Sequence, residues 1–244
     1  MKKIILSAAI VTAFASSAYA QQAEPVSPHT FTGNVTVASD YRFRGISQTE
    51  EKPAIQGGFD YSHSSGFYVG NWNSNISGDF INDGSIEMDL YAGYKFEPVK
   101  DVTADVGILQ YYYPGAEIDS STDYDTTEVY VGASWKWLSA KYSYAVSDDV
   151  FGIADADGSW YLDLNGNFEI ADKTTLNVHV GRQKFRGPNS DGTSYTDWKI
   201  GVARDFGVAT LGLAYIDTNA DDFYTFDGKE LGDETIVLSV SKTF

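Results

Sequence analysis

Apolar and polar residues alternate one by one through most of this 244-residue chain, in segments too long for an ordinary soluble sheet. Successive side chains of a strand point to opposite faces, so strict alternation produces one apolar face and one polar face. Val35, Val37, Tyr41 and Phe43 alternate with Asn34, Thr36, Asp40, Arg42 and Arg44. Ile86, Met88, Leu90, Ala92, Tyr94 and Phe96 alternate with Glu87, Asp89, Tyr91, Gly93 and Lys95. Trp160, Leu162, Leu164, Phe168 and Ile170 alternate with Ser159, Asp163, Asn165, Asn167 and Glu169. Soluble strands average about five or six residues, whereas bilayer-spanning strands need about nine to eleven.

Extending the pattern predicts strands near 30–44, 53–62, 66–76, 85–96, 102–113, 126–137, 139–147, 158–170, 173–184, 194–206, 208–217 and 234–244. About twelve strands is an even count, as single-chain bacterial barrels have. In 66–76 the face is ambiguous, because Phe67 and Val69 compete with Tyr68 and Trp72. Connections after even strands are short (62–65, 97–101, 138–139, 171–172, 205–207), while most after odd strands are longer (114–125, 148–158, 185–193, 218–233). Sorting by parity separates short periplasmic turns from longer outer loops and sets both termini on the periplasmic side. A soluble sandwich also alternates but has no reason to sort its loops.

Aromatic residues gather where strands would meet the membrane surfaces. Phe31, Tyr61, Phe67, Phe96, Trp137, Phe168, Phe206 and Phe244 fall at the inner ends, and Tyr41, Phe43, Tyr112, Trp160, Trp198 and Tyr215 at the outer ends. The chain closes on an alternating run from Ile236 to Phe244, the form of a signal read by the barrel-assembly machinery, with Lys242 where an apolar residue is usual. The expected fold is all-β: a closed antiparallel up-and-down transmembrane barrel with short periplasmic turns and longer acidic extracellular loops.

Residues 1–20 read as a cleaved secretory signal: Lys2 and Lys3, an apolar run from Ile4 to Ala15, then Ala18-Tyr19-Ala20. Residues 21–29 read as a disordered lead-in and 30–244 as one barrel domain of the cell outer membrane. There is no cysteine, so closure of the hydrogen-bonded sheet must supply what disulfides give many exported domains. A formal net charge of −17 argues against nucleic-acid binding, and an aromatic content of 15% argues against an acidic disordered chain.

The polar faces carry Asp40, Arg42, Arg44, Gln56, Asp60, Glu87, Asp89, Lys95, Asp105, Glu128, Lys136, Lys141, Asp163, Glu169, His179, Asp197 and Lys199, the expected pore lining. Lipid cannot satisfy such groups, whereas a water-filled lumen can. Arg42 and Arg44 fit two roles, a basic patch opposite the acids or structural pairing with lumen carboxylates. About twelve strands spaced roughly 4.8 Å and tilted about 40° enclose a backbone diameter of roughly 24 Å, leaving a clear path on the order of 10 Å. That suits ions and small solutes. With Asp205 at the inner rim, ten acids on the polar faces oppose six bases, and the outer loops add Glu117, Asp119, Asp123, Asp125, Asp148, Asp149, Asp155, Asp157, Asp221, Asp222 and Asp227. A mouth of one sign concentrates counter-ions, so weak cation preference is expected.

Several runs carry a family likeness. Ser39-Asp40-Tyr41-Arg42-Phe43-Arg44-Gly45-Ile46-Ser47-Gln48-Thr49 and Pro53-Ala54-Ile55-Gln56-Gly57-Gly58-Phe59-Asp60-Tyr61 are the specific part. Gly66 to Trp72, Glu87 to Tyr94 and Tyr111 to Gly115 extend it more loosely. These resemble the TorF family of porin-like proteins of Gram-negative bacteria, which implies an outer-membrane barrel and a pore role, with no catalytic residue to carry over.

Other chemistry is weakly encoded. Asp155-Ala156-Asp157-Gly158 and the run from Asp217 to Asp222 imitate the start of a calcium loop, but neither reaches a glutamate at the twelfth position. Loose association of these loops with divalent cations and lipopolysaccharide is the expectation instead. Three histidines, His29, His63 and His179, give a nucleophile little choice of base, so no enzyme and no cofactor are expected. The competing reading is a structural or surface-interaction barrel with a closed lumen.

Overall fold

The computed structural model describes residues 27–116, 118, 122–220 and 222–244. The expected signal at 1–20, most of the lead-in, and Glu117, Asp119 and Asp221 of the outer loops lie outside the described residues. Among the described residues, twelve strands close into an antiparallel barrel: β1 (His29–Ala38), β4 (Ala54–His63), β5 (Phe67–Asn75), β6 (Ile86–Val99), β7 (Val102–Tyr112), β8 (Thr126–Trp135), β9 (Leu138–Ala145), β10 (Trp160–Ala171), β11 (Thr174–Lys184), β12 (Tyr195–Asp205), β13 (Thr210–Thr218) and β16 (Thr235–Thr243). Each pairs with its sequence neighbour among them, and β16 returns to β1 with Val37 opposite Val240. Two short hairpins lie outside this sheet: β2 (Arg42–Phe43) with β3 (Ile46–Ser47), and β14 (Thr225–Phe226) with β15 (Lys229–Glu230).

Loop lengths sort by parity as expected. Turns 64–66, 100–101, 136–137, 172–173 and 206–209 are short, and 39–53, 76–85, 113–125, 146–159, 185–194 and 219–234 are long. Both ends of the described barrel, the start of β1 and the end of β16, lie at the short-turn end, where backbone bonds between Gly33 and Phe244 stitch the seam. The alternation resolves cleanly in three dimensions. Val37, Ile55, Val131, Ile200, Leu213, Ile236 and Leu238 are each 50% or more exposed on the outer surface. Such an apolar belt has no place in water, where large exposed patches are rare, and it matches a hydrocarbon surround. In β5, Phe67 and Val69 face outward while Tyr68 and Trp72 are buried inside.

Two expectations need correction. The first strand stops at Ala38 rather than running to residue 44, because at Ser39 the chain folds into the barrel instead of continuing up the wall. Tyr41 and Phe43 therefore do not belong to the outer aromatic girdle: they are 4% and 8% exposed inside the molecule. At its other end the strand begins at His29, the last residue assigned to the lead-in.

Candidate functional site in the barrel lumen

The inward segment forms a hairpin whose two-residue tip is Arg44-Gly45, with Phe43 paired to Ile46 and Arg42 to Ser47. Both tip residues have positive φ, 47° at Arg44 and 85° at Gly45, as a tight hairpin turn of matching twist requires. Gly45 meets a second demand, since a Cβ there would overlap Thr218 on the wall. Arg44 bears the cost of a left-handed conformation, about 1–2 kcal/mol for a residue with a side chain. Its contacts offset that cost. Nη2 donates to both carboxylate oxygens of Glu128 at 2.8 and 2.7 Å, Nη1 donates to Oε1 of Gln183 at 2.6 Å, and the guanidinium lies 4.3 Å from the ring centre of Tyr161. The tip thus spans the lumen from β1 to β8, β10 and β11.

Apolar packing holds the hairpin on both sides. Phe43 joins a buried cluster with Tyr41, Trp72, Ile76, Leu109 and Tyr111. Its cross-strand partner Ile46 joins another with Val150, Phe185, Tyr195, Tyr224 and Leu231. Phe43 meets Tyr111 and Phe151 edge-on at 5.4 and 5.2 Å, geometry worth about 0.5–1.5 kcal/mol per pair beyond burial. At the base, Arg42 pairs with Asp40 and donates to the carbonyls of Leu231 (2.8 Å) and Asp233 (3.0 Å), tying the hairpin to the last outer loop. Asp40 also accepts from Ser47 and Thr49. Both arginines are structurally paired, and neither forms a free basic patch on the wall. Glu87 and Asp89 are fully buried, with Glu87 beside Tyr41 and Tyr113 of the plug's cluster.

Below the plug, register gathers the charged residues into a row. Lys95 lies opposite Asp105, Asp105 opposite Gly132, Gly132 opposite Lys141, and Lys141 opposite Asp163. Gly181 then separates Asp163 from Asp197. Side-chain contacts follow the row: Lys95 to Asp105 at 3.9 Å, His179 to Asp163 at 3.0 Å and to Asp197 at 2.5 Å. Lys199 is the cross-strand neighbour of His179, and Asp60 accepts from Tyr91 at 2.6 Å. Gln56 faces inward and bonds Ser74, while Glu169 shares the inward face but is exposed at the short-turn end.

Lys136 is a further correction. It occupies the 136–137 turn with φ 55°, exposed, its ammonium 4.5 Å and 5.7 Å from the rings of Trp135 and Trp137. The turn begins two residues earlier than the alternation alone indicates, and this takes Lys136 off the wall.

The inward tyrosines belong to the site as well, although strand parity gives them no role. Tyr91 lies over Gly70, Tyr68 over Gly93, Tyr130 over Gly107 and Tyr161 over Gly181, each glycine leaving space that a Cβ would fill. The rings therefore lie along the wall rather than across the lumen, and their hydroxyls donate to acids: Tyr68 to Asp105 at 2.7 Å, Tyr161 to Asp197 at 3.0 Å. The signal was present in the inward glycines of otherwise polar faces. On the far side, β13, β16 and β1 present small neutral residues inward, among them Gly212, Ala214, Ser239, Ser241, Asn34 and Thr36, all half-buried.

Residues 22–244 match a family described as bacterial protein of unknown function, Gcw_chp. The chain belongs to the Gcw_chp family. No curated protein matches its sequence. Among solved structures, this Gcw_chp barrel is similar to the NanC porin, with a TM-score of 0.55 at 11% identity, covering 88% of this chain and 98% of that one. It is also similar to the KdgM porin in complex with disordered oligogalacturonate, with a TM-score of 0.54 at 7% identity over 88% and 98% of the two chains. At these identities the likeness concerns the fold alone, which in this chain is a closed twelve-strand antiparallel barrel.

Proposed function

We propose that this Gcw_chp protein is a TorF-type outer-membrane channel for small solutes and ions, narrowed near its outer mouth by the Arg42–Ser47 hairpin and weakly selective for cations. The observation that carries the reading is the inward face: a closed barrel with an apolar exterior lines its interior with Asp60, Lys95, Asp105, Lys141, Asp163 and Lys199. Charged groups on a lumen wall are kept where water and ions reach them. With Lys136 outside, the ten polar-face acids oppose five bases, which strengthens the expected sign. The row itself is largely self-paired, so the preference is modest. At physiological salt a Debye length of about 8 Å further blunts the field.

The KdgM porin is described with oligogalacturonate, a polyanion. An excess of lumen acids disfavours a polyanionic cargo here, so that ligand is not carried over. Passage without catalysis fits a site in which, among the described residues, the one inward histidine, His179, is braced by Asp163 and Asp197 on the wall. The remaining expectations stand as part of the proposal: a leader at 1–20, insertion guided by Phe244, lipopolysaccharide around the outer loops, and no cofactor.

A second reading, a structural barrel with a closed lumen, is favoured by one observation, the dry aromatic packing of the hairpin across the outer mouth. Purified protein in a planar bilayer separates the two. Discrete conductance steps with a reversal potential of cation sign are expected under a salt gradient. A silent membrane at high protein load would favour the closed barrel, and anion preference would sink the charge argument.

A further inference from the structure

We propose that the outer wall over β8 to β11 holds one anionic glycerophospholipid, its acyl chain in an apolar groove and its phosphate on Lys136. This rests on the membrane-embedded reading above. The outward surface should form an even apolar belt, yet here it is indented by a cavity of about 560 Å³. Sequence accounts for the dent. Ala133 and Ala140 face each other across β8 and β9, Ala140 lies beside Leu164, and Gly166 lies between Leu138 and Val178. Three small residues thus share a floor, with Trp135, Leu138 and Val180 among the taller residues around it. Phe168 packs against Gly166, and its ring lies 6.2 Å from that of Trp137, tilted by 43°.

A groove alone would name no occupant; its rim does. Lys136 sits in the turn next to the groove-lining Trp135, and Trp135 and Trp137 flank its ammonium. The adjacent turns carry Lys100 beside Asp101 and Lys173 beside Asp172, so each of those lysines has an acid next to it. Trp135-Lys136-Trp137 holds no acid, and Lys136 makes no ion pair among the described residues. Indole rings at headgroup depth and one uncompensated cation above an apolar groove match the chemistry of a phosphate on an acyl chain. The position at the short-turn end selects the inner leaflet.

Native mass spectrometry of the full chain, released from detergent after incubation with phosphatidylglycerol or phosphatidylethanolamine, tests the assignment. Phosphatidylglycerol adducts should exceed phosphatidylethanolamine adducts by roughly five-fold, the bias one lysine gives at an anionic surface. Lys136→Asn, with a residue at ease in the left-handed turn, should abolish the preference. Ala140→Leu should fill the floor and reduce both adducts, with heat-modifiable migration verifying that the barrel still forms. An unchanged ratio in Lys136→Asn, or full adducts in Ala140→Leu, would overturn the site. So would a dimer that Ala140→Leu dissociates, because the groove would then seat a second copy. A barrel that never enters liposomes defeats the membrane reading itself, whereas one that inserts without lipid preference defeats only this proposal.

Discussion

At the outer end of the lumen Tyr41, Phe43, Trp72 and Tyr111 pack ring against ring around a paired arginine, and each is less than a tenth exposed. At the inner end the wall presents Asn167, Glu169 and Thr243, all exposed, and Thr175, Ser134 and Ser241, half-buried. Both ends obey the same period-two rule, so the wall pattern does not separate them. What differs is the chain that fills the space. The outer end receives a fold-back from β1 and long loops, whereas the inner end has only tight turns. A barrel of fixed strand number can therefore be packed at one mouth and exposed at the other.

The sharpest way to break that contrast is Arg44→Ala. It leaves Glu128 buried, its side chain 1% exposed, without its cation, and losing one partner of a buried pair costs about 3–5 kcal/mol. The expected outcome is a clear fall in the temperature at which the heat-modifiable band is lost, together with larger or noisier conductance steps as the hairpin loosens. Adding Glu128→Gln should recover much of the stability, because it removes the stranded charge. If the double variant is no better than the single, packing rather than the ion pair holds the plug.

A smaller effect is expected where the wall is packed by tyrosine over glycine. A Cβ at Gly107 would overlap both the Tyr130 hydroxyl and the backbone carbonyl of Ala92, so Gly107→Ala cannot be absorbed by a ring swing alone. Overpacking of this kind costs about 1–3 kcal/mol. Urea unfolding from liposomes should register it, and single-channel conductance should fall as Tyr130 is pushed toward the lumen. Gly132, with no tyrosine over it and its nearest backbone neighbour at 3.2 Å, serves as the contrast: Gly132→Ala should cost clearly less and leave conductance unchanged.

These regions differed in how legibly the sequence wrote them. The barrel, its strand count and the parity of its loops were readable because alternation is local and lipid enforces it along every strand. In the same way, parity alone assigns Asp60, Lys95, Asp105, Lys141 and Asp163 to the inward faces of their strands. The hairpin was not, because Asp40 to Arg44 alternate as well as any wall residues do and only tertiary packing turns them inward. A 15-residue first strand, longer than a bilayer needs, was the one warning. Lys136 is hidden for a neighbouring reason: a turn residue keeps the phase of the strand it ends. Tyrosine-over-glycine packing depends on neighbouring strands, which a single-strand reading cannot see.

The charged row offers a finer comparison between an inward and an outward lysine. Lys141 stands on the inward face of β9 opposite Asp163, whereas Lys136 projects from the turn. Lys141→Gln should shift reversal potentials toward stronger cation preference at low salt, and the shift should shrink as ionic strength rises. Lys136→Asn should leave selectivity unchanged. Equal shifts in both variants would mean that bulk surface charge, not the row, sets the preference.

The smallest expected effect lies at the plug's outer anchor. Glu50 and Glu51 both take positive φ, 51° and 63°, a strained turn that needs an external tie. Ser77 of the next loop donates to the Glu50 carboxylate, and Lys52 pairs with it at 3.1 Å. The Ser77 hydrogen bond, followed by the lysine, holds the Glu50 carboxyl below its ordinary value of 4.5, with partial burial opposing. A group whose folded value is lowered stabilises the fold above its unfolded value and ceases to do so as pH falls through the folded one. The tie is therefore complete at neutral pH and fades only in acid below 4.5. Hydrogen exchange should show faster opening of the backbone amides of Ser47, Gln48 and Ser77 at pH 3 than at pH 6, once the intrinsic pH dependence of exchange is removed. Glu50→Gln should show weakened protection at both pH values and little difference between them. If acid opened the inner turns before these amides, the anchor would not be the weakest point of the outer end.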